Sequence, residues 1–332
     1  MIGSIVDDGP SLAALCTRLE TAPRIALDTE FHNEKTYAAR LMVVQLAAGD
    51  DVFIIDPLRI GDLAPLADLL ARKTVVGHAL SSDLKILADR FGRLPAAAFD
   101  TQLAAAFCGY GMQVSLAELV ARLVDVRLRK SQTVSDWSAR PFSPQQQEYL
   151  VDDVRYLFEL QDRLTDRLTA TGRLGWYDEE ARPLIDPAKY RPDPERLYLR
   201  VSGATRLNRR ELGILRELAN LRESLARERD VPVKYILADD VLAGLVHLRP
   251  RTVEELAQLR RFDAGARRAF GERVIAAVER GVALDEADLP RKPPRPPGGD
   301  RDAIAAAIAV LVGSIAEANQ LPPSLLLPRS AI

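Results

Sequence analysis

At 332 residues the chain is long for a single hydrophobic core, and its 47% hydrophobic and 28% charged content are those of an ordinary globular protein of two or more domains. It has no apolar run near the ~20 residues of a bilayer span, no basic and then apolar leader after Met1, and only two cysteines, Cys16 and Cys108. No spanning helix, signal peptide, disulfide framework or structural zinc site is therefore expected, and a reducing, cytoplasmic setting is.

The net charge of −2 gives no blanket affinity for nucleic acid, but it is unevenly spread. Residues 1–204 hold 24 basic and 29 acidic side chains, whereas residues 205–285 hold 16 and 13.

In chain order, Arg24–Phe31 begins with an apolar run and ends in two acids, as a strand would. Arg40–Ala47 and Val52–Asp56, joined by Ala48-Gly49-Asp50-Asp51, predict a β-hairpin stopped by Pro57. Helical spacing over Leu63–Leu70 is followed by a buried-strand run, Thr74–His78, and by a helix that Ser81 would cap and Gly92 would close. From Asp100 the pattern is helical: a capping box at Ser115–Glu118, a polar irregular stretch from Val126 to Pro141, then a second capping box at Ser143–Gln146 opening a long helix striped by Leu150, Val154, Leu157, Leu160 and Leu164. Strands followed by helices predict a mixed sheet with helices against it, an α/β layer architecture.

Four prolines between Gly172 and Gly203 mark a connecting arm. A compact bundle of four or five short helices follows, then the stiff stretch Pro290–Gly299, then one amphipathic helix that either docks on the bundle or begins a larger domain. The predicted organisation is thus 1–172, 173–204 (arm), 205–285 (helical), 286–300 (linker) and 301–332 (a partial helical domain).

Three stretches place acids where chemistry could use them. Asp28 and Glu30 are two apart on a strand and so share a face, where like charges repel unless a cation lies between them. Asp83 falls in the first turn of a helix, a position the helix dipole favours by itself. Tyr149 and Asp153 are four apart and share a helical face. Taken singly, each also fits a solvated surface.

Taken in order, the acids resemble the tyrosine-bearing form of the DEDD 3′–5′ exonucleases. The neighbouring residues resemble ribonuclease D: Asp28-Thr29-Glu30-Phe31, Gln45-Leu46, Ile55-Asp56-Pro57, Asp100-Thr101-Gln102-Leu103-Ala104, Lys130-Ser131-Gln132, Asp136-Trp137, Arg140-Pro141 and Gln147-Glu148-Tyr149. Leu218–Glu223 and Asp230-Val231-Pro232 resemble the HRDC helical domain of that family. The resemblance implies a ribonuclease H-like exonuclease domain, α/β with a mixed sheet flanked by helices, followed by an all-α HRDC bundle.

It further implies two divalent ions, Mg2+ or Mn2+, roughly 3.5–4 Å apart. Asp28 would bridge them, Glu30 and Asp153 would complete the first and Asp83 would hold the second, with Tyr149 orienting the attacking water. The implied partner is RNA with a free 3′ end, such as a tRNA precursor; a monomer is the default expectation. A DNA exonuclease of the same fold and a non-catalytic RNA-binding scaffold are the alternatives. Lys130, Gln132 and Arg140, ahead of the last motif, are candidate phosphate contacts. So are Arg209, Arg210, Lys234, Arg260, Arg261, Arg267 and Arg268 on the basic bundle. His78 is expected to be structural, with no zinc-ligand company.

Overall fold

A computed structural model describes residues 3–128, 136–292 and 300–327. The described residues group into two compact units. The first holds Met1–His32, Arg40–Tyr190 and Gly298–Ile332; the second holds Asn33–Ala39 and Arg191–Pro297.

The first unit is built on a six-stranded mixed sheet. Its strands are β1 (Ser4–Val6), β2 (Arg24–His32), β3 (Arg40–Ala48), β4 (Asp51–Ile55), β5 (Thr74–Gly77) and β6 (Ala97–Asp100), in the order β1-β4-β3-β2-β5-β6. The β2–β3–β4 meander is antiparallel; β1 joins β4, and β5 and β6 extend from β2, all in parallel. The hairpin expected between β3 and β4 forms, with Gly49 at φ +57°, a conformation glycine takes without strain. Positions 41–47 of β3 are all buried, as befits a central strand covered on both faces.

Helices α1 (Gly9–Leu19), α2 (Ala64–Leu70), α3 (Ser81–Phe91), α4 (Thr101–Phe107), α5 (Leu116–Leu123), α6 (Pro144–Arg155), α7 (Leu157–Ala170), α8 (Leu174–Ala181) and α9 (Pro187–Tyr190) complete this layer arrangement. Ser143 and Gln146 form the reciprocal capping box that opens α6, with Pro144 in the first turn. The long helix expected from there is two helices, interrupted at Tyr156, although the apolar stripe runs through both. Ser81 does not cap α3: it is the first helical residue, and the N-cap Leu80 offers no side-chain bond.

Asp100 instead holds the turn ahead of α3 and caps α4. Its carboxylate accepts the N–H groups of Ala79 and Leu80 ahead of α3, at 3.0 Å each, and those of Gln102 and Leu103 at the start of α4. Ala79 is held at φ +58°, an uncommon conformation for a residue with a Cβ, so the turn into α3 depends on these bonds.

Two expected boundaries move. Residues 173–190 are not a connecting arm but part of the first unit: Tyr177, Leu184 and Tyr190 are buried, and the Tyr177 hydroxyl accepts the Asp100 N–H at 2.9 Å. The C-terminal helices α14 (Asp300–Ala318) and α15 (Pro323–Leu326) belong to the first unit too, not to the bundle. Arg173 donates to the Asn319 carbonyl at 2.6 Å, and a Cβ on Gly109 would lie 2.9 Å from the Gln320 carbonyl.

In the second unit, α10 (Arg209–Arg229), α11 (Val233–Ile236), α12 (Asp239–Leu248) and α13 (Ala264–Ala283) surround one hydrophobic core. Between α12 and α13 the chain makes a 3-10 turn, Glu255–Gln258. Gly281 does not end α13. It lets the helix approach α10 so closely that an added Cβ would lie 2.5 Å from the Ile214 Cα.

Replacing Asp100 by Ala strips four backbone donors of their acceptor. It is expected to lower stability by about 2 kcal/mol or more, read as a lower urea midpoint at unchanged m-value. An unaltered midpoint would remove Asp100 from this role.

Candidate active site

The acids of the sequence converge. Asp28 and Glu30 lie on β2 ahead of a register shift between Glu30 and Phe31, so they share one face, and Asp153 comes from α6, which packs on β2, β3 and β4. One carboxylate oxygen from each of the three lies within 4.8 Å of the others. Bulges of this kind commonly re-aim strand side chains beside functional sites. Asp83, in the first turn of α3, is buried and accepts a hydrogen bond from the Thr29 hydroxyl, so the residue between the two strand acids ties in the fourth.

This arrangement disfavours negative charge. Loss of water, and then the neighbouring charges of Asp153, Asp83 and Glu30, push the Asp28 carboxyl well above the usual carboxylate range. Burial, then the charge of Asp83, raises Glu30 to about 7. Burial raises Asp83 to about 7 against the pull of the Thr29 hydrogen bond. Asp153 is pushed well up by burial and by Glu30, and its hydrogen bond from Tyr149 only partly offsets this. Burial and the charges of Asp153, Glu30 and Asp28 raise the Tyr149 phenol above its ordinary value, which keeps the hydroxyl protonated. The Tyr149 ring is backed by Trp137, with centroids 5.7 Å apart.

A divalent cation suits this donor set. Hard cations take carboxylate oxygens, three such oxygens already converge, and the buried Oδ2 of Asp153 has no hydrogen-bond partner. Asp28, Glu30 and Asp153 would hold it, with Asp83 adjoining.

The candidate substrate contacts fare differently. Lys130 and Gln132 lie outside the described residues. Arg140 is not available to a phosphate. Its guanidinium donates to both oxygens of buried Asp56, at 2.6 and 2.8 Å, and to the carbonyls of Met42 and Trp137, and it stacks 3.9 Å from the Phe142 ring centroid. It anchors the segment that carries Trp137. Arg209 and Arg210 are likewise engaged within the second unit: both pair with Glu286, and Arg209 also donates to the Glu286 and Leu289 carbonyls. Arg261 pairs with Asp240, and Arg267 donates to the Phe262 carbonyl. Lys234 lines a cavity of about 540 Å³ together with Arg229, Tyr235 and Phe270. His78 is structural, its ring nitrogens engaged by Thr101 Oγ1 at 2.9 Å and the Val114 carbonyl at 3.0 Å.

Residues 4–169 match the family model of 3′–5′ exonucleases, and residues 211–278 match that of the HRDC domain. The ribonuclease D of Granulibacter bethesdensis is 38% identical over 329 residues, spanning 97% of this chain and 83% of that protein. The chain belongs to the ribonuclease D family. The crystal structure of Escherichia coli RNase D, described as an exoribonuclease involved in structured RNA processing, superposes with a TM-score of 0.87 at 33% identity, covering 99% of this chain and 88% of that one. The catalytic core of RRP6 from Trypanosoma brucei is more distant, with a TM-score of 0.59 at 25% identity over 85% of this chain and 80% of that one. Like its ribonuclease D relatives, the chain is a 3′–5′ exoribonuclease.

Glu30 and Asp83 bind protons more tightly when folded than a free carboxyl does, so their contribution to stability is complete at low pH and is lost as pH rises from about 4 to about 7. The melting temperature of the metal-free protein is therefore expected to fall between about pH 5 and about pH 8, and saturating Mn2+ is expected to raise it most at the alkaline end. Parallel pH profiles with and without Mn2+ would contradict this origin.

Proposed function

We propose that this exoribonuclease trims the 3′ ends of structured RNAs such as tRNA precursors, working as a cytoplasmic monomer with two divalent cations, Mg2+ or Mn2+. The observation that carries the reading is the convergence of Asp28, Glu30 and Asp153 within 4.8 Å, with Asp83 adjoining. Asp28, Glu30 and Asp153 would hold one cation, and Asp28 and Asp83 the other. When bound, such ions activate water and neutralise charge that builds on the phosphoryl and leaving oxygens.

The chain's own groups do the rest. Tyr149, its hydroxyl kept protonated and its ring backed by Trp137, orients the attacking water and does not serve as a base. Attack at the last phosphodiester forms a bond from the water oxygen to phosphorus and breaks the bond from phosphorus to the 3′-oxygen. The shortened RNA takes a proton at its new 3′-hydroxyl, and a nucleoside 5′-monophosphate leaves. In the helical unit, Lys234 and its neighbours Arg229 and Tyr235 are the proposed contacts to the RNA body.

Degradation of RNA with a structured body and a labelled single-stranded 3′ tail, in Mg2+ or Mn2+, tests the reading. Asp28→Asn and Asp153→Asn are expected to lose about a thousand-fold or more in rate, and Tyr149→Phe about a hundred-fold. Full activity in Asp28→Asn would defeat it, as would faster loss of a matched DNA strand. Lys234→Ala is expected to leave the cleavage step alone while weakening binding and reducing its salt dependence.

A further inference from the structure

Gln45 is a polar residue in a strand that is otherwise apolar from Leu41 to Ala47, and it is completely buried. Among the described residues, neither its Oε1 nor its Nε2 has a hydrogen-bond partner. A bare buried amide is costly, and native structures keep one where something else answers it.

Its place in the ladder says what that is. Gln45 is directly opposite Asp28 across the β2–β3 pair and opposite Ile54 across β3–β4. Opposed residues of antiparallel strands share a face, with Cβ atoms about 4.5–5.5 Å apart. A glutamine stem spans that gap, so the amide is within reach of the Asp28 carboxylate. The face is the one α6 covers: a Cβ on Gly3 would lie 3.1 Å from Ile54 Cδ1 and 3.0 Å from Val151 Cγ2 of α6. The same helix carries Asp153, whose Oδ2 is a further bare polar atom of this neighbourhood. An amide donor without an acceptor and acids short of donors thus occur on one covered face.

We propose that Gln45 is a positioning residue of the cation site: its Nε2–H donates to the Asp28 carboxylate of the loaded protein and holds that side chain in its ligating orientation. Outer partners of this kind orient ligating side chains and tune affinity. The inference rests on reading Asp28, Glu30, Asp153 and Asp83 as cation ligands. A core glutamine answered only by a buried water is the competing account.

Gln45→Met keeps the approximate volume and deletes the amide. Mn2+ binding to the full chain is measured by calorimetry and unfolding of the metal-free chain by urea, with Asp28→Asn alongside. Gln45→Met is expected to weaken Mn2+ binding about 10- to 100-fold while the metal-free urea midpoint stays level or rises, because the bare amide is gone. An unchanged Mn2+ dissociation constant overturns the proposal. So does weaker binding that merely accompanies a lowered midpoint in both Gln45→Met and Gln45→Leu, the second variant should the first fold poorly. If wild type and Asp28→Asn take up Mn2+ equally, the cation reading fails and this proposal with it, whatever Gln45→Met does.

Discussion

The repulsion among Asp28, Glu30, Asp83 and Asp153 is the constraint on which the exonuclease unit depends. Carboxylates in contact with one another and short of water lose stability when they ionise, and the raised proton affinities of all four register that cost. A scaffold that holds them together at neutral pH needs rigid attachments on each side. β2 lies at the centre of the sheet between β3 and β5; the Thr29 hydroxyl ties Asp83 to the strand; Asp100 fixes the turn into α3; and the Ser143–Gln146 box fixes the start of α6. Each device acts on an element that delivers at least one of the acids.

The Arg140–Asp56 pair extends the same logic to the phenol. Asp56 is buried at the end of β4, and its two oxygens take a planar pair of donors from Arg140, the fixed fork geometry that distinguishes arginine. Because Arg140 also donates to the Trp137 carbonyl, the pair sets Trp137 beneath Tyr149. In the helical unit many cations are similarly committed to internal partners: Arg222, buried, bonds Asp239 at 2.7 Å, and Arg273 bonds Glu228. The basic excess of residues 205–285 is therefore spent in part on holding the bundle together, which narrows the surface left for RNA.

What was legible in the sequence was what repeats at short range. The meander, the helix after β5, the Ser143–Gln146 box and the apolar stripe of α6 and α7 follow from alternation, helical spacing and turn residues. The strands β1 and β6 did not stand out: three residues and an alanine-rich four carry little propensity, and pairing with β4 and β5 makes them strands. The same limit explains why 173–190 and the C-terminal helices read as independent pieces, since their attachment rests on side chains and carbonyls distant in sequence, such as Tyr177 to Asp100 and Arg173 to Asn319. For the site, the order of the acids and Tyr149 carries the resemblance, and the structure brings Asp28, Glu30 and Asp153 within 4.8 Å of one another, whereas Arg140, Arg209 and Arg210 read as free cations because a sequence does not show which acceptor a guanidinium has found. Thr29 and Gln45 belong to the motifs that carry the resemblance, but their partners, Asp83 for Thr29 and the Asp28 position across the ladder for Gln45, lie too far away in sequence to be read from it.

On the function proposed above, cations keep these carboxylates together. The most direct measurement is anomalous diffraction from crystals soaked in Mn2+. The account predicts a strong anomalous peak within ligating distance of oxygens from Asp28, Glu30 and Asp153, with a second, weaker one beside Asp83. No peak among these residues at saturating Mn2+, with ordered carboxylates bridged only by shared protons, would contradict it.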